Sequence, residues 1–361
     1  MIQASAPGKL FIAGEYAVVT PAHPAILVAV NQFITVTLEE AIDSGSIHSS
    51  LNQGLPIPWT RLDGSLYIDQ RENTFIYITE AIKITEDYIQ EQGISLRFFH
   101  LSVESELDNA KGKKYGLGSS GAVTVATVKA LLQFYGLTIS PELVYKLSSL
   151  AHLVVKSNGS FGDIAASAYT GWIAYASFDR DWVIEKQASL SITELVALNW
   201  PGLMVHRLTV PKEIQLLIGW TASPASTTHL VDKVNQQRVD MAEFFPQFLQ
   251  KSKQIVTDLI SAFDNKNISE IKDNIRKNRF ILKELAAKAG VPIETTLLEQ
   301  LIKIASSYDA ASKTSGAGGG DCGIALLNDK AAAHLLLQEW EKARIQPLPL
   351  EVYQEDCEGE K

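Results

Sequence analysis

A glycine-rich segment followed by an apolar helix constrains this chain more than any other feature. Residues 113–122 read KKYGLGSSGA, and an almost wholly apolar helical run follows at 122–135. A helix that is apolar on most faces is usually central and buried, so we expect it to hold the preceding loop rigidly. The loop places glycines and serines at the helix N-terminus, where unpaired N–H groups and the helix dipole attract anions. The sequence therefore predicts a phosphate-binding loop.

Other interpretations of this segment are open from the residues alone. Gly116, Gly118 and Gly121 also match the dinucleotide fingerprint, but that motif stands near the start of a βαβ unit and has an acidic residue about 20 positions later. Here the loop lies far into the chain, and no acid follows through Leu137. The P-loop pattern G-x-x-x-x-G-K-[ST] does not occur. A glycine turn with Ser119 or Ser120 as a helix cap, and no ligand, is the remaining alternative.

Composition narrows the class of protein. A chain of 361 residues with 46% hydrophobic and 20% charged residues is long enough for two globular domains with full cores. The net charge of −9 argues against general affinity for nucleic acids or anionic membranes, so a phosphate site must be a local basic pocket. The two cysteines, Cys322 and Cys357, do not suggest a disulfide framework. With no leader-like N-terminus and no membrane-length apolar run, we expect a cytoplasmic protein.

Alternating strand and helix patterns predict an α+β chain of two lobes, residues 1–210 and 211–361. Pro7 and Gly8 predict a turn between two strands. Extended segments are expected at 25–30, 33–38, 96–103, 171–176, 203–210, 214–220, 323–327 and 348–352. Helices are expected at 73–92, 122–135, 140–156, 227–248, 251–264, 269–289, 294–307 and 330–344.

Lys9 and Asp163 are the first candidates for chemistry. A lone lysine at a strand start is normally solvated, and an aspartate at a helix start is more often a cap. Together, however, a cation holds a carboxylate ionised and oriented near a substrate hydroxyl.

A second glycine-rich stretch, KTSGAGGGDC at 313–322, stands between a helix and a strand. Ordering so many glycines costs much backbone entropy, so a mobile linker is one interpretation. The apolar strand that follows directly favours a second interpretation, in which the stretch is an ordered loop packed against another part of the protein. Ser223 and Ser226 belong to a hydroxyl-rich turn at 223–229, which a helix cap would also explain.

Basic residues near these loops are few. Lys113 and Lys114 precede the first glycine loop and could counter the charge of a triphosphate. His206 and Arg207 stand side by side in a predicted strand, so their side chains point to opposite faces. Each is more simply a surface residue, although one of the two could reach a phosphorylated substrate.

Four stretches in this order resemble the motifs of the GHMP kinases, the superfamily that includes galactokinase, homoserine kinase and mevalonate kinase. APGKLFIAGEYAVV at 6–19, KKYGLGSSGAV at 113–123 and KTSGAGGGDCG at 313–323 look like the first, second and third family motifs. NGSFGDIAAS at 158–167 looks like the segment that carries the catalytic aspartate. The resemblance spans almost the whole chain.

The resemblance implies an N-terminal lobe with the ATP loop, a C-terminal ferredoxin-like lobe and a site between them. It implies that Lys9 and Asp163 are catalytic, that ATP and Mg²⁺ are used, and that Ser120 is a metal ligand. The residues expected at the ATP phosphates are Lys113, Gly116, Leu117, Gly118, Ser119, Ser120 and Gly121. With the candidates above, the residues expected near the acceptor are Tyr16, Ser160, His206, Arg207, Ser223, Ser226, Ser315, Gly316, Ala317, Gly318 and Asp321.

Within the superfamily the sequence is most similar to the bacterial phosphomevalonate kinases. This similarity implies transfer of the ATP γ-phosphate to 5-phosphomevalonate in the mevalonate route to isoprenoids. It also implies a monomer or homodimer that needs neither nucleic acid nor membrane. Mevalonate kinase, another small-molecule kinase of the superfamily, diphosphomevalonate decarboxylase and a non-enzymatic ligand sensor are the alternatives.

His152 is a departure from the family pattern. Mevalonate kinases carry a metal-binding glutamate on the helix before the catalytic aspartate, and His152 falls near that position. Because Mg²⁺ prefers oxygen ligands, Asp163 or water would have to replace the glutamate, unless the correspondence is displaced by one turn.

Overall fold

Two β-sheets organise the computed structural model, which describes residues 1–50, 55–68, 75–107, 115–155, 158–223, 227–238 and 240–355. Among these residues the larger sheet has eight strands in the order β5-β4-β3-β6-β2-β7-β8, with β1 also paired to β2. Its strands are β1 Ile2–Ala13, β2 Pro24–Ala41, β3 Gly45–Ser49, β4 Ile57–Leu62, β5 Ser65–Tyr67, β6 Phe98–Ser105, β7 Trp172–Ala176 and β8 Met204–Arg207. All pairings in it are antiparallel except β3 with β6.

The long strand β2 is the centre of this sheet. The extended segments predicted at 25–30 and 33–38 are parts of this one strand, which pairs with β1, β6 and β7. The turn predicted at Pro7 and Gly8 is wrong, because β1 continues through both residues with a register shift between them. Proline has no N–H for the ladder, and a bulge accommodates it without ending the strand.

Six helices accompany the larger sheet in the described part of the chain. They are α1 Ile76–Glu91, α2 Ser119–Phe134, α3 Pro141–Val154, α4 Gly162–Tyr169, α5 Arg180–Gln187 and α6 Ile192–Ala197. The predicted apolar helix is α2, which is buried along most of its length and packs against β1, β2, α1, α3 and α4. The short helices α5 and α6 were not predicted; Asp179 and Ser191 cap them.

The smaller sheet begins after Val210. Its strands are β9 Gln215–Trp220, β10 Ala311–Thr314, β11 Cys322–Leu327 and β12 Gln346–Leu348, in the antiparallel order β10-β11-β9-β12. The helices are α7 Thr227–Gln236, α8 Phe244–Asp264, α9 Ile268–Ala289, α10 Thr296–Ser306 and α11 Lys330–Lys342. Helices between β9 and β10, then α11 between β11 and β12, give the βαββαβ order of a ferredoxin-like fold. The predicted α+β fold with a ferredoxin-like second lobe is confirmed.

One predicted helix is divided differently. The pattern at 227–248 predicts a single helix, but α7 ends at Gln236 and α8 begins at Phe244. Pro246 falls in the first turn of α8, where its missing N–H has no intrahelical partner to lose. A continuous helix would place that proline in the interior, so the break precedes it.

The two lobes share one hydrophobic core. Trp172 of β7 packs 5.5 Å from Phe263 of α8, measured between ring centroids. The chain also returns to the first lobe after β12, where Val352 forms a β-bridge with Val30. The predicted boundary at 210/211 lies between β8 and β9, and the division into two domains stays a prediction. Within the described residues, no helix is long and apolar enough to cross a membrane.

Candidate active site

The first glycine loop is built by backbone conformations that side chains disfavour. Gly116 and Gly118 have φ values of 78° and 79°, in the left-handed region. The loop is tied to β1, because the Lys9 N–H donates to the Leu117 carbonyl at 2.8 Å. Gly118 is the N-cap of α2, and no side chain in the described part of the chain caps this helix. Ser119 and Ser120 are therefore its first two residues rather than caps. Their N–H groups are among those at a helix N-terminus that have no partner within the helix.

Lys9 projects from β1 across this loop. Its ammonium donates to the Gly116 carbonyl at 3.2 Å and lies 5.5 Å from the centroid of the Phe11 ring. Burial lowers the pKa of Lys9 below its ordinary 10.5, while the carboxylates of Asp163, Asp321 and Glu15 act in the opposite direction. Three carboxylates thus favour the charged form of Lys9, whose ammonium stands over the first glycine loop.

Asp163 reaches the same point from the first turn of α4. A methyl group built on Gly121 would lie 2.7 Å from Oδ2 of Asp163, and one on Gly118 would lie 3.1 Å from its Cβ. The same methyl on Gly118 would lie 2.9 Å from Cε of Lys9. Lys9, Asp163 and the start of α2 therefore converge, and glycine at 118 and 121 leaves the space that this convergence requires.

The turn that precedes Asp163 is fixed from several directions. Phe161 is in the left-handed region, with φ 59°. The Tyr175 hydroxyl donates to the Ser160 carbonyl at 2.6 Å, and the Arg180 guanidinium donates to the Gly159 carbonyl. Arg180 also lies 4.8 Å from the Phe161 ring centroid. These contacts hold both Ser160 and the start of α4.

This turn also contacts the second lobe. The Asn158 side-chain amide donates to Asp232 Oδ1 on α7. The contact joins the segment that carries Asp163 to a helix on the other side of the site.

The second glycine loop is ordered, as one of its two interpretations predicted. Its Gly319 N–H donates to the Ile293 carbonyl at 2.9 Å, and a methyl group on Gly318 would lie 2.2 Å from that oxygen. The Ser315 hydroxyl accepts from the Phe11 N–H at 3.0 Å and donates to the Phe11 carbonyl at 2.9 Å. This pair of hydrogen bonds joins the loop to β1 across the two lobes.

The end of this loop meets the start of the first. A methyl group on Gly116 would lie 2.5 Å from Oδ2 of Asp321. The Asp321 N–H donates to the Ser223 carbonyl at 2.8 Å, so the backbone of Ser223 supports the loop while its side chain is exposed. Cys322 donates through Sγ to the Tyr115 carbonyl, and burial raises the pKa of its thiol.

A cavity lies between the first strand and the second glycine loop. Tyr16 lines it and donates from its hydroxyl to the Ala317 carbonyl at 2.6 Å. Ser160 and Gly316 line it as well. Burial raises the pKa of Tyr16, so the hydroxyl stays a donor over the ordinary pH range. Tyr16, Ser160, Gly316 and Ala317, all predicted near the acceptor, are thus brought to one cavity.

Two predicted acceptor residues are not brought to the site. Arg207 donates to the Tyr169 carbonyl at 2.7 Å and to Thr170 Oγ1 at 3.2 Å. Both acceptors lie at the C-terminal end of α4, the opposite end from Asp163. His206 is exposed on β8 and pairs with Ala174. Both residues belong to β8, which pairs with β7 at the edge of the sheet, and their role at the acceptor stays a prediction.

Other predicted residues lie outside the described part of the chain. Lys113 and Lys114 belong to 108–114, and Ser226 belongs to 224–226.

His152 is part of the support under α2. It is buried and forms a 2.9 Å hydrogen bond through Nε2 with Thr124 Oγ1, which lies 2.9 Å from the Ser120 carbonyl. Burial lowers the pKa of His152 and favours the neutral ring, while Asp163 opposes that shift. Within the described residues no group of three or more His, Cys, Asp or Glu side chains is placed to hold a metal.

The donor set nevertheless fits Mg²⁺ bound together with a nucleotide. Mg²⁺ usually keeps several waters and takes one or two carboxylates plus substrate phosphates, so it needs no cage of protein ligands. The Ser120 hydroxyl at the start of α2 and the Asp163 carboxylate beside Gly121 offer oxygen donors of that kind.

The fold and these two glycine loops define a class of protein: the chain belongs to the GHMP kinases. Residues 77–171 match the family model of the GHMP kinases N terminal domain, and residues 259–346 match that of the GHMP kinases C terminal domain. The Streptomyces sp. (strain CL190) phosphomevalonate kinase is 38% identical over 357 residues, covering 96% of this chain and 95% of the relative.

Solved structures agree with this assignment. A Listeria innocua protein superposes with a TM-score of 0.92 at 40% identity, covering 99% of both chains. Streptococcus pneumoniae phosphomevalonate kinase, in complex with phosphomevalonate and AMPPNP, superposes with a TM-score of 0.87 at 30% identity. That match covers 98% of this chain and 100% of the neighbour.

Sequence reasoning missed two groups near the site. Glu15 and Lys313 form a buried ion pair between the lobes, and Arg180 holds the turn before Asp163. Glu15 and Lys313 are charged residues inside otherwise apolar or small-residue motifs, and that contrast was the available signal. Arg180 had no comparable signal, because nothing in its local sequence points to residue 159.

Proposed function

We propose that this chain transfers the terminal phosphoryl group of ATP to the phosphate of 5-phosphomevalonate, giving diphosphomevalonate and ADP. The observation that carries the proposal is the convergence of Lys9 and Asp163 on the glycine loop at the start of α2. The second glycine loop and the cavity beside it stand next to that junction, where an acceptor would lie.

The first glycine loop supplies the donor site. Residues 116–121 present backbone N–H groups and a helix N-terminus to the phosphates of ATP, and the glycines allow their close approach. Mg²⁺, when bound, would neutralise charge that develops on the phosphates. Ser120, with Asp163, is the proposed protein contribution to holding it.

The acceptor determines what the protein must do. A phosphate monoester is already largely ionised near neutral pH, so its oxygen needs little help from a general base. One P–O bond forms to that oxygen as the P–O bond to ADP breaks. Positioning and charge neutralisation therefore supply most of the rate.

Lys9 and Asp163 take different roles in this mechanism. Lys9 lies half-buried beside the loop and stabilises the charge that builds between the donor and acceptor phosphates. Asp163 orients Lys9 and the acceptor rather than removing a proton: its charge favours the protonated form of Lys9, and both side chains border Gly118. The assignment rests on the positions of both side chains around Gly118.

A substrate panel tests the proposed function. ADP release is measured with ATP, Mg²⁺ and, in separate reactions, phosphomevalonate, mevalonate, galactose or homoserine. We expect rapid release with phosphomevalonate and little with the other three. Robust turnover with mevalonate alone would identify a hydroxyl kinase instead, and ATP binding without turnover on any acceptor would favour a ligand sensor.

A further inference from the structure

A buried ion pair joins the two lobes beside the proposed acceptor site. Glu15 follows the end of β1 and Lys313 belongs to β10, and their side chains are 2% and 0% exposed. The Lys313 ammonium donates to Oε1 of Glu15 and to the Thr314 carbonyl at 2.6 Å. Lys313 therefore holds one oxygen of this carboxylate in place.

The other oxygen of Glu15 has no such donor. Among the described residues, Oε2 is buried and accepts no hydrogen bond. Buried polar atoms are nearly always paired, so an unpaired carboxylate oxygen on a residue that lines a cavity points to a donor from outside the chain. An unmet acceptor of this kind is costly, particularly when it carries charge.

Glu15 is part of the wall of the cavity next to the second glycine loop. The cavity has a volume of about 50 Å³, and Phe11, Tyr16, Val18, Ser160 and Ala317 also line it. Phe11 and Val18 make part of that wall apolar. The Lys9 ammonium lies 5.5 Å from the Phe11 ring centroid, so the cavity adjoins the place where phosphoryl transfer is proposed.

Only one kind of group on the proposed acceptor can donate a hydrogen bond to Oε2 of Glu15. 5-Phosphomevalonate carries a phosphate and a carboxylate, both anionic, and a tertiary hydroxyl beside a methyl group. The Glu15 carboxylate repels the two anions, while the hydroxyl donates a hydrogen bond. The apolar side chains of Phe11 and Val18 suit the methyl group. We propose that Glu15, held by Lys313, determines specificity for the acceptor's branched carbon by accepting a hydrogen bond from its tertiary hydroxyl.

This inference rests on the proposed function, and the first measurement separates the two. Wild-type protein is assayed for kcat/KM with phosphomevalonate; no turnover would refute the proposed function itself. The second acceptor is the analogue in which hydrogen replaces the tertiary hydroxyl. A hydrogen bond from a hydroxyl to a carboxylate predicts a kcat/KM ratio between the two acceptors of about 10 to 100. Equal use of both acceptors would refute the inference.

Variants then test whether Glu15 causes the difference in kcat/KM between the two acceptors. In the double variant Glu15→Leu/Lys313→Met both charges are replaced by apolar groups of similar size, which proteins often tolerate. We expect its ratio between the two acceptors to fall to within about twofold of one, since the hydrogen bond is lost. In Glu15→Gln the charge is lost but the shape is kept, and we expect the ratio to fall at least about threefold.

A structural role alone would give another pattern. Loosening of the lobes would lower kcat/KM for both acceptors equally and leave their ratio unchanged. Arg61→Met/Glu86→Leu is the matched control, because it replaces another buried ion pair whose residues do not line the cavity, and we expect its ratio to equal that of the wild type. If the double variant does not fold, Glu15→Gln decides alone: an unchanged ratio in this variant overturns the inference.

Discussion

Substitution of Gly121 by alanine tests the packing of the ATP loop against Asp163. The added methyl group would lie 2.7 Å from Oδ2, 2.8 Å from Cγ and 3.0 Å from Cβ of Asp163. Ordinary contacts between carbon atoms are about 3.5–4.0 Å, so the overlap is about 0.5–1 Å. The contact with Cβ lies close to the α4 backbone, and rotation of the carboxylate alone cannot relieve it. Asp163 or the start of α2 must move.

The structure gives the expected size of the effect. A displacement of about 1 Å at a positioned group costs about 100-fold in rate, so we expect turnover to fall by about 10- to 100-fold. The free energy of unfolding should fall by about 0–2 kcal/mol, because overpacking costs about 1–3 kcal/mol while alanine gains about 1 kcal/mol over glycine in a helix. The expected result is thus a folded protein with a large catalytic defect.

Two measurements are made on each variant: the rate of ADP release gives turnover, and thermal unfolding gives stability. Gly136→Ala at the other end of α2 is the control, since Gly136 has φ 71° and a methyl group there would meet no heavy atom within 4 Å. The control should lose about 1–2 kcal/mol of stability from the left-handed backbone and keep its turnover. Wild-type turnover in Gly121→Ala would refute the argument that Asp163 is positioned against this loop.

Four further outcomes follow from the site. Lys9→Ala should lower turnover by about 100- to 1000-fold and change the KM for ATP little, and near-normal turnover would remove Lys9 from the mechanism. Because burial lowers the pKa of Lys9, its charge is present below the lowered pKa and lost above it. We therefore expect kcat/KM, which reports the free enzyme, to decline on an alkaline limb centred below pH 10.5. Lys9→Arg should abolish that alkaline limb, and a limb that persists would assign it to another group. Ser120→Ala should raise the Mg²⁺ concentration needed for half-maximal activity; an unchanged requirement would exclude Ser120 as a ligand. Ser315→Ala, which removes both hydrogen bonds to Phe11, should lower the free energy of unfolding by about 1–3 kcal/mol, and an unshifted denaturation midpoint would contradict this.

Local features of the fold were predictable from the sequence. The apolar pattern predicted α2, and the helix expected at 140–156 is α3, where the Ser140 hydroxyl caps the start by accepting from the Leu143 N–H at 3.2 Å. These signals are local because helix periodicity and capping involve residues a few positions apart. The interruption before Pro246 was a local signal too, and it was overlooked.

Relations between distant residues were not predictable in the same way. Glu15 and Lys313 are 298 positions apart, and only the folded chain shows that they form an ion pair. The surroundings of His206 and Arg207 depend on the folded chain in a related way. Strand alternation shows that the two side chains face opposite sides, but sheet order decides whether either side faces the site. The family motifs located Lys9 and Asp163, while the structure supplied the contacts around them.

Identification of the bond that is formed tests the central claim most directly. Phosphorus NMR of a reaction with ATP, Mg²⁺ and phosphomevalonate distinguishes a diphosphate from two separate phosphate esters. We expect a new pair of mutually coupled phosphorus signals besides those of ADP, because the transferred group joins the acceptor phosphate. A new uncoupled monoester signal, with the original phosphate unchanged, would show transfer to a hydroxyl and contradict the account.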